Sequence, residues 1–224
     1  MPFASQSQEI DSIEFTFLPK SIRFGVDVLG MGKSFAKDNL THYELTSDVM
    51  IHKYLINFDY GIEERSRSGD RETYSLKGNF YRVGVDINLM KLEDKASTIF
   101  FGFRYGKANF DNSLRYSSDS NVFGSTSDLR IANDLNARWY ELTGGTKVKI
   151  WNQFWLGFTC RFKFSLKYDK SLLLTPHDIP GFGLADKKTY WGFNYFVFYQ
   201  IPFSKKHKKS KEKTSSTPIA EPVN

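Results

Sequence analysis

The sequence predicts an all-β protein, an eight-stranded antiparallel up-and-down transmembrane β-barrel with a closed polar interior. Three observations carry this reading. Apolar residues alternate with polar or very small ones at period two from Arg23 to Phe203. No residue of the alternating apolar set is charged. Short turns alternate with longer polar connections, the asymmetry of an up-and-down barrel.

Taken in order, the first strand sets Phe24, Val26 and Val28 against Arg23, Gly25 and Asp27. The second sets Tyr43, Leu45, Val49 and Ile51 against Glu44 and Asp48, and the third Ile56, Phe58, Tyr60 and Ile62 against Asp59, Gly61 and Glu63. Tyr81 to Leu89 alternate with Arg82, Gly84 and Asp86, and Ile99 to Tyr105 with Gly102 and Arg104. The sixth strand sets Tyr140, Leu142, Val148 and Ile150 against Glu141, Lys147 and Lys149. Leu156 to Leu166 alternate with Arg161 and Lys163, with Lys167 next on the polar parity, and Trp191 to Phe203 close the series. His52-Lys53, Leu92 to Lys95 and Trp151-Asn152-Gln153 are the short turns, whereas 66–72, 113–136 and 170–187 read as long loops and 36–40 as a brief one. Both termini then fall on the short-turn side.

Composition narrows the alternatives. Phe, Tyr and Trp together make 17% of the 224 residues, yet a quarter of the chain is charged and mean hydropathy is only −0.44. The longest apolar run is the five residues from Tyr195 to Tyr199, far short of the ~20 a spanning helix needs. The single Cys160 cannot form an internal disulfide, and with four scattered histidines a structural zinc cluster is excluded. A water-soluble barrel would turn the apolar face inward. Eight strands enclose room for little more than side chains, so the bulky set belongs outside and the glycine-rich polar set inside.

Net charge is +6, but Lys205, Lys206, Lys208, Lys209, Lys211 and Lys213 against Glu212 supply +5 of it. A nucleic-acid partner is therefore not expected, since its binder spreads cations over a folded face. The expected organisation is a periplasmic N-terminal segment over 1–20 with Ala4-Ser5 as a signal remnant, a barrel over 21–203, and a disordered lysine-rich tail over 204–224 that offers an interaction surface.

Phe101-Gly102-Phe103-Arg104-Tyr105-Gly106, Trp139 to Val148, Trp155-Leu156-Gly157-Phe158, Ile179-Pro180-Gly181-Phe182, and Phe193-Asn194-Tyr195 to Ile201-Pro202 resemble an uncharacterised family of small Gram-negative outer-membrane β-barrels, a domain of unknown function. The resemblance covers about residues 21 to 203. It implies a location in the outer membrane and a fold, and supplies no reaction. The final aromatic alternation ending at Phe203 also looks like a barrel-insertion signal, although 21 residues follow it.

Chemistry-bearing motifs are sparse. Gly30-Met31-Gly32-Lys33-Ser34 lacks the upstream glycine of a phosphate loop, because Asp27 stands there. His42 with Glu44 two residues on is the best candidate base, followed by His177-Asp178, but no serine is placed beside either. No catalytic residue, metal or cofactor is assigned. The interior charges say more. Asp27, Glu44, Asp48, Asp59 and Glu63 form an acidic wall, facing Lys147, Lys149, Arg161, Lys163 and Lys167 with Glu141 among them. Buried ions must be paired, so a cross-lumen network is expected to plug the barrel, and strand arithmetic pairs Glu141 with Lys163. The function expected is non-enzymatic: an outer-membrane barrel, structural or partner-binding, serving as a subunit of a larger assembly. Its partners would be outer-membrane lipid and lipopolysaccharide and another outer-membrane protein or lipoprotein. A lipid A or phospholipid modifying enzyme and a narrow channel are the alternatives.

Overall fold

The computed structural model describes residues 19–90, 96–120, 124–169 and 174–203. Residues 1–18 and the whole lysine tail lie outside it. The elements are β1 (Pro19–Asp27), α1 (Val28–Ala36), β2 (Leu40–Ile51), β3 (Tyr54–Ser68), β4 (Glu72–Asn88), β5 (Ser97–Ser120), β6 (Gly124–Trp151), β7 (Phe154–Tyr168), β8 (Asp178–Ile179), β9 (Gly183–Leu184) and β10 (Thr189–Pro202).

Each long strand pairs antiparallel with its neighbour in sequence, and β10 joins β7 to β1, so the eight long strands close into a barrel. β3 shows the parity: Leu55, Asn57, Asp59, Gly61 and Glu63 are buried while Tyr54, Ile56, Phe58, Tyr60 and Ile62 are exposed. The outer face carries Phe24, Phe101, Phe103, Trp191 and Phe193 close to half exposed. So extended an apolar outer face is unusual for a protein surface. Two hairpins are tight. Ile51 pairs with Tyr54 and Trp151 with Phe154, and His52 and Asn152 take positive φ of 54° and 44°, the left-handed backbone that lets a two-residue turn follow the strand twist.

Three features correct the expected fold class. The chain is not all-β, because the segment after Asp27 leaves the sheet as α1. The Asp27 carboxylate accepts the Leu29 N–H at 3.1 Å and caps the helix, and Ser34 Oγ accepts the His42 N–H at 2.6 Å, tying α1 to β2. The strands number ten, since β8 and β9 form a separate small hairpin. The interior is not uniformly polar either. Leu76, Phe80, Phe110, Trp139, Ile179 and Phe182 belong to a buried apolar cluster, and Trp155, Phe196 and Phe198 to a second. The bulky alternating set does face outward, but the interior also admits rings of the inward parity because glycines make the room. A Cβ on Gly61 would stand 2.2 Å from the Phe80 ring, and one on Gly106 2.4 Å from Trp139.

The long connections differ as well. Most of 113–136 is strand, with β5 and β6 laddered out to Ser120 and Gly124. The stretch 174–188 folds inward, burying Ile179 and Phe182 completely.

Candidate functional site

The inward-facing charges meet in a belt around Arg161 of β7. Its Nη1 donates to Asp59 of β3 and Glu141 of β6, both at 3.1 Å, its Nη2 to Glu44 of β2 at 3.2 Å, and its Nε to Asn194 of β10 at 2.8 Å. One guanidinium thus reaches four other strands. Arg82 of β4 donates to Glu44 at 2.7 Å, and its Nε lies 3.0 Å from Glu141 as an ion pair without hydrogen-bond alignment. Arg104 of β5 bridges Asp59 at 2.6 Å and Asp86 at 2.8 Å. Asp48 is held between Arg23 at 2.8 Å and Lys147 at 2.7 Å. Arg23 also lies over the Trp155 ring, and Lys147 lies 4.9 Å from both Phe100 and Phe198, so cation–π contacts carry the belt into the aromatic layer.

Lys163 bonds elsewhere. Its Nζ donates to the carbonyls of Gly181 at 2.7 Å and Phe182 at 3.1 Å. Arg82 adds a bond to Gly181 O, Glu63 accepts the Gly181 N–H, and Arg65 spans Glu63 and Asp178. Four side chains on three strands therefore fasten the β8–β9 hairpin in the mouth.

Above the belt, His42 stands among three carboxylates: Glu63 at 3.5 Å, Glu44 at 3.7 Å and Asp27 at 4.0 Å. They line a cavity of about 270 Å3 with Lys33 and Trp191. Burial alone would lower the imidazole pKa, but Glu44 and Glu63 outweigh it and raise it to about 9. Eight buried carboxylates face six buried cations among the described residues, and Arg65 and Arg67 add ion pairs to Glu63 and Asp178 at the rim. Asp27, His42 and Glu44 offer donor atoms within 4.8 Å of one another. A metal there would first have to displace the His42 proton, which Glu44 and Glu63 favour.

Of the eleven interior charges expected from sequence, Asp27, Glu44, Asp48, Asp59, Glu63, Glu141, Lys147, Arg161 and Lys163 are buried, whereas Lys149 and Lys167 are exposed. The β6–β7 register is irregular beside each, between Lys149 and Trp151 and between Arg138 and Tyr140, and Ser165 takes a φ of 56°. A bulge there inserts one residue and turns Lys167 to the outer face. Arg82, Asp86 and Arg104 were missing from the expected network although their parity placed them inside; opposing two walls passed over β4 and β5. The six tail lysines, Lys205 to Lys213, lie outside the described residues.

Among the described residues no serine hydroxyl bonds to the imidazole of His42 or His177. Ser34 Oγ bonds only to the backbone of Gly30 and His42, and His177 Nδ1 lies 3.0 Å from Asp178 with no serine hydroxyl bonded to it among the described residues.

The fold and site define a β-barrel closed by buried salt bridges. The chain belongs to the family described as Domain of unknown function (DUF6048), which matches residues 2–206. No curated protein matches it. Among solved structures it is similar to Acinetobacter baumannii CarO, with 13% identity and a TM-score of 0.41, over 81% of this chain and 97% of that one. It is also similar to Ail, the attachment invasion locus protein of Yersinia pestis, solved with the heparin analogue sucrose octasulfate, with 10% identity and a TM-score of 0.36, over 82% of this chain and 97% of that one.

Several expectations change accordingly. The family description gives no location, so the resemblance to Gram-negative outer-membrane barrels is corrected to membership of this family alone. The outer-membrane placement, the transmembrane label and the periplasmic termini are withdrawn with it. No helix among the described residues is long and apolar enough to cross a membrane, which says nothing of strands. The role as subunit of a larger assembly is withdrawn too, because it rested on free long loops and a tail. Those connections are mostly strand or folded inward, and the tail lies outside the described residues. The narrow channel goes as well, with Arg161 bonded across the bore.

Proposed function

We propose that the protein is a sealed, non-catalytic body that works by binding at its surface rather than by turnover or by passing solutes. The observation that supports this is Arg161, whose guanidinium bonds to strands on opposite sides of the bore. Buried ions this well paired are costly to separate, so the belt stays shut. Thr143, 1% exposed and bonded to Asp86 in the belt, provides the test. Thr143→Cys in a Cys160→Ser background should resist a small charged thiol reagent until the protein is unfolded, and Arg161→Ala should admit the reagent. Labelling of the native barrel with Arg161 in place would defeat the sealed reading. Ester hydrolysis that disappears in His42→Ala would defeat the non-catalytic one.

A further inference from the structure

On the outer wall, Lys107 of β5 is paired in register with Arg138 of β6, and Arg138 with Lys167 of β7. Their neighbours Gly106, Ala108, Ala137 and Trp139 are buried, so these side chains point outward. Three cations side by side on adjacent strands repel one another, and none has an ion-pair partner among the described residues. Strands ~4.8 Å apart put all three within about 10 Å. They line an outer notch of about 410 Å3 with Tyr105 and Tyr168. Its one carboxylate, Asp169, accepts the Asn136 N–H. Two residues along β5 and β6 toward the turn end, Tyr105 and Tyr140 begin an aromatic patch: Tyr140 lies 5.7 Å from Tyr105, 5.5 Å from Phe103 and 6.2 Å from Phe164.

We propose that Lys107, Arg138 and Lys167 form a binding site for the phosphate headgroup of an anionic lipid, whose acyl chains lie on the Phe103, Tyr140 and Phe164 patch. Arg138, in the centre, can grip two phosphate oxygens with its guanidinium fork, and the flanking lysines act as point charges. The ligand must be anionic to relieve the row, and amphiphilic because the row borders bare rings. The site rests on the reading that the protein works by binding at its surface and names a ligand class for it, while no interior residue takes part.

The test is native mass spectrometry of the full chain in mild detergent, titrated with dilauroyl phosphatidic acid, dilauroyl phosphatidylcholine or inorganic phosphate. Wild type should retain one phosphatidic acid, with phosphatidylcholine and inorganic phosphate each about ten-fold weaker or worse. The triple variant Lys107→Gln, Arg138→Gln, Lys167→Gln should lose the preference, while Lys77→Gln, a charge removed elsewhere on the wall, should keep it. Melting adds a second readout: the lipid-free triple variant should melt above wild type, because the repulsion is gone. Equal retention of phosphatidic acid by the triple variant, or equal retention of phosphatidylcholine by wild type, would overturn the site. Inorganic phosphate binding as tightly as the lipid would overturn the amphiphile.

Discussion

Glu141 and Lys163 face each other across the β6–β7 ladder, yet no bond joins them. The carboxylate instead takes Arg161, Arg82 and the Trp139 indole N–H at 2.7 Å, while the ammonium goes to two carbonyls of the mouth hairpin. Register decides which residues are opposite. Reach and the number of donors decide which bond, and a guanidinium that can serve several acids outcompetes an ammonium.

Two substitutions separate these roles. Glu141→Gln strips counter-charge from Arg82 and Arg161 and should cost about 3–5 kcal/mol in denaturant unfolding. Lys163→Met should cost less, about 1–3 kcal/mol, and should make the chain around Gly181 and Phe182 sensitive to protease, which Glu141→Gln should not do as selectively. Equal stability of Glu141→Gln and wild type would remove the belt from the list of stabilising features.

His42 predicts a pH dependence. Its pKa is raised to about 9 in the fold against about 6.5 unfolded, so its contribution is complete below about pH 6.5 and is lost as pH rises through about 9. The contribution is at most about 3 kcal/mol. Lys163, pushed down to about 8 mainly by burial, titrates nearby in both proteins, so the difference between wild type and His42→Gln isolates the imidazole. Melting curves from pH 6 to 10 should converge with the variant at the alkaline end.

A methyl group on the inner wall tests the packing of rings on glycine. Gly61→Ala drives a Cβ into Phe80 and should destabilise by about 1–3 kcal/mol. Adding Phe80→Leu should recover part of that loss. Additive losses in the double variant would mean that the ring and the glycine do not share the space.

Ser34→Ala removes the hydroxyl that accepts the His42 N–H and holds α1 against β2. The expected loss is about 1–2 kcal/mol, with hydrogen exchange rising across residues 28–36 before it rises in β2. Unchanged exchange there would show that the Ser34 hydroxyl does not hold α1.

Much of this was legible in the sequence. Phe58 and Asp59 show why: neighbours on a strand point to opposite faces, and an uncharged outer face against a charged inner one leaves a period-two trace. Asp27 shows where the trace ends, because a residue that closes one strand's alternation also caps a helix, and Val28 still fits the strand parity. Lys167 was misplaced for want of one inserted residue at Ser165. Trp139 and Phe80 were not expected inside because their room comes from Gly106 and Gly61, glycines on other strands. Volume alone reads each strand separately, whereas packing is settled only between strands.

The ladder of β1 with β10 sets Ile22 beside Ile201, the first strand of the barrel against the last. Asp27 receives the Asn194 side chain and the Tyr195 N–H only when that late strand arrives, and Arg161 likewise waits for Asn194. Contacts so distant along the chain make folding slow. Until the last strand docks, β1 and β7 are open edges ready to pair with another chain. A newly synthesised copy therefore keeps those two edges unpaired until its last strand has been made and has docked.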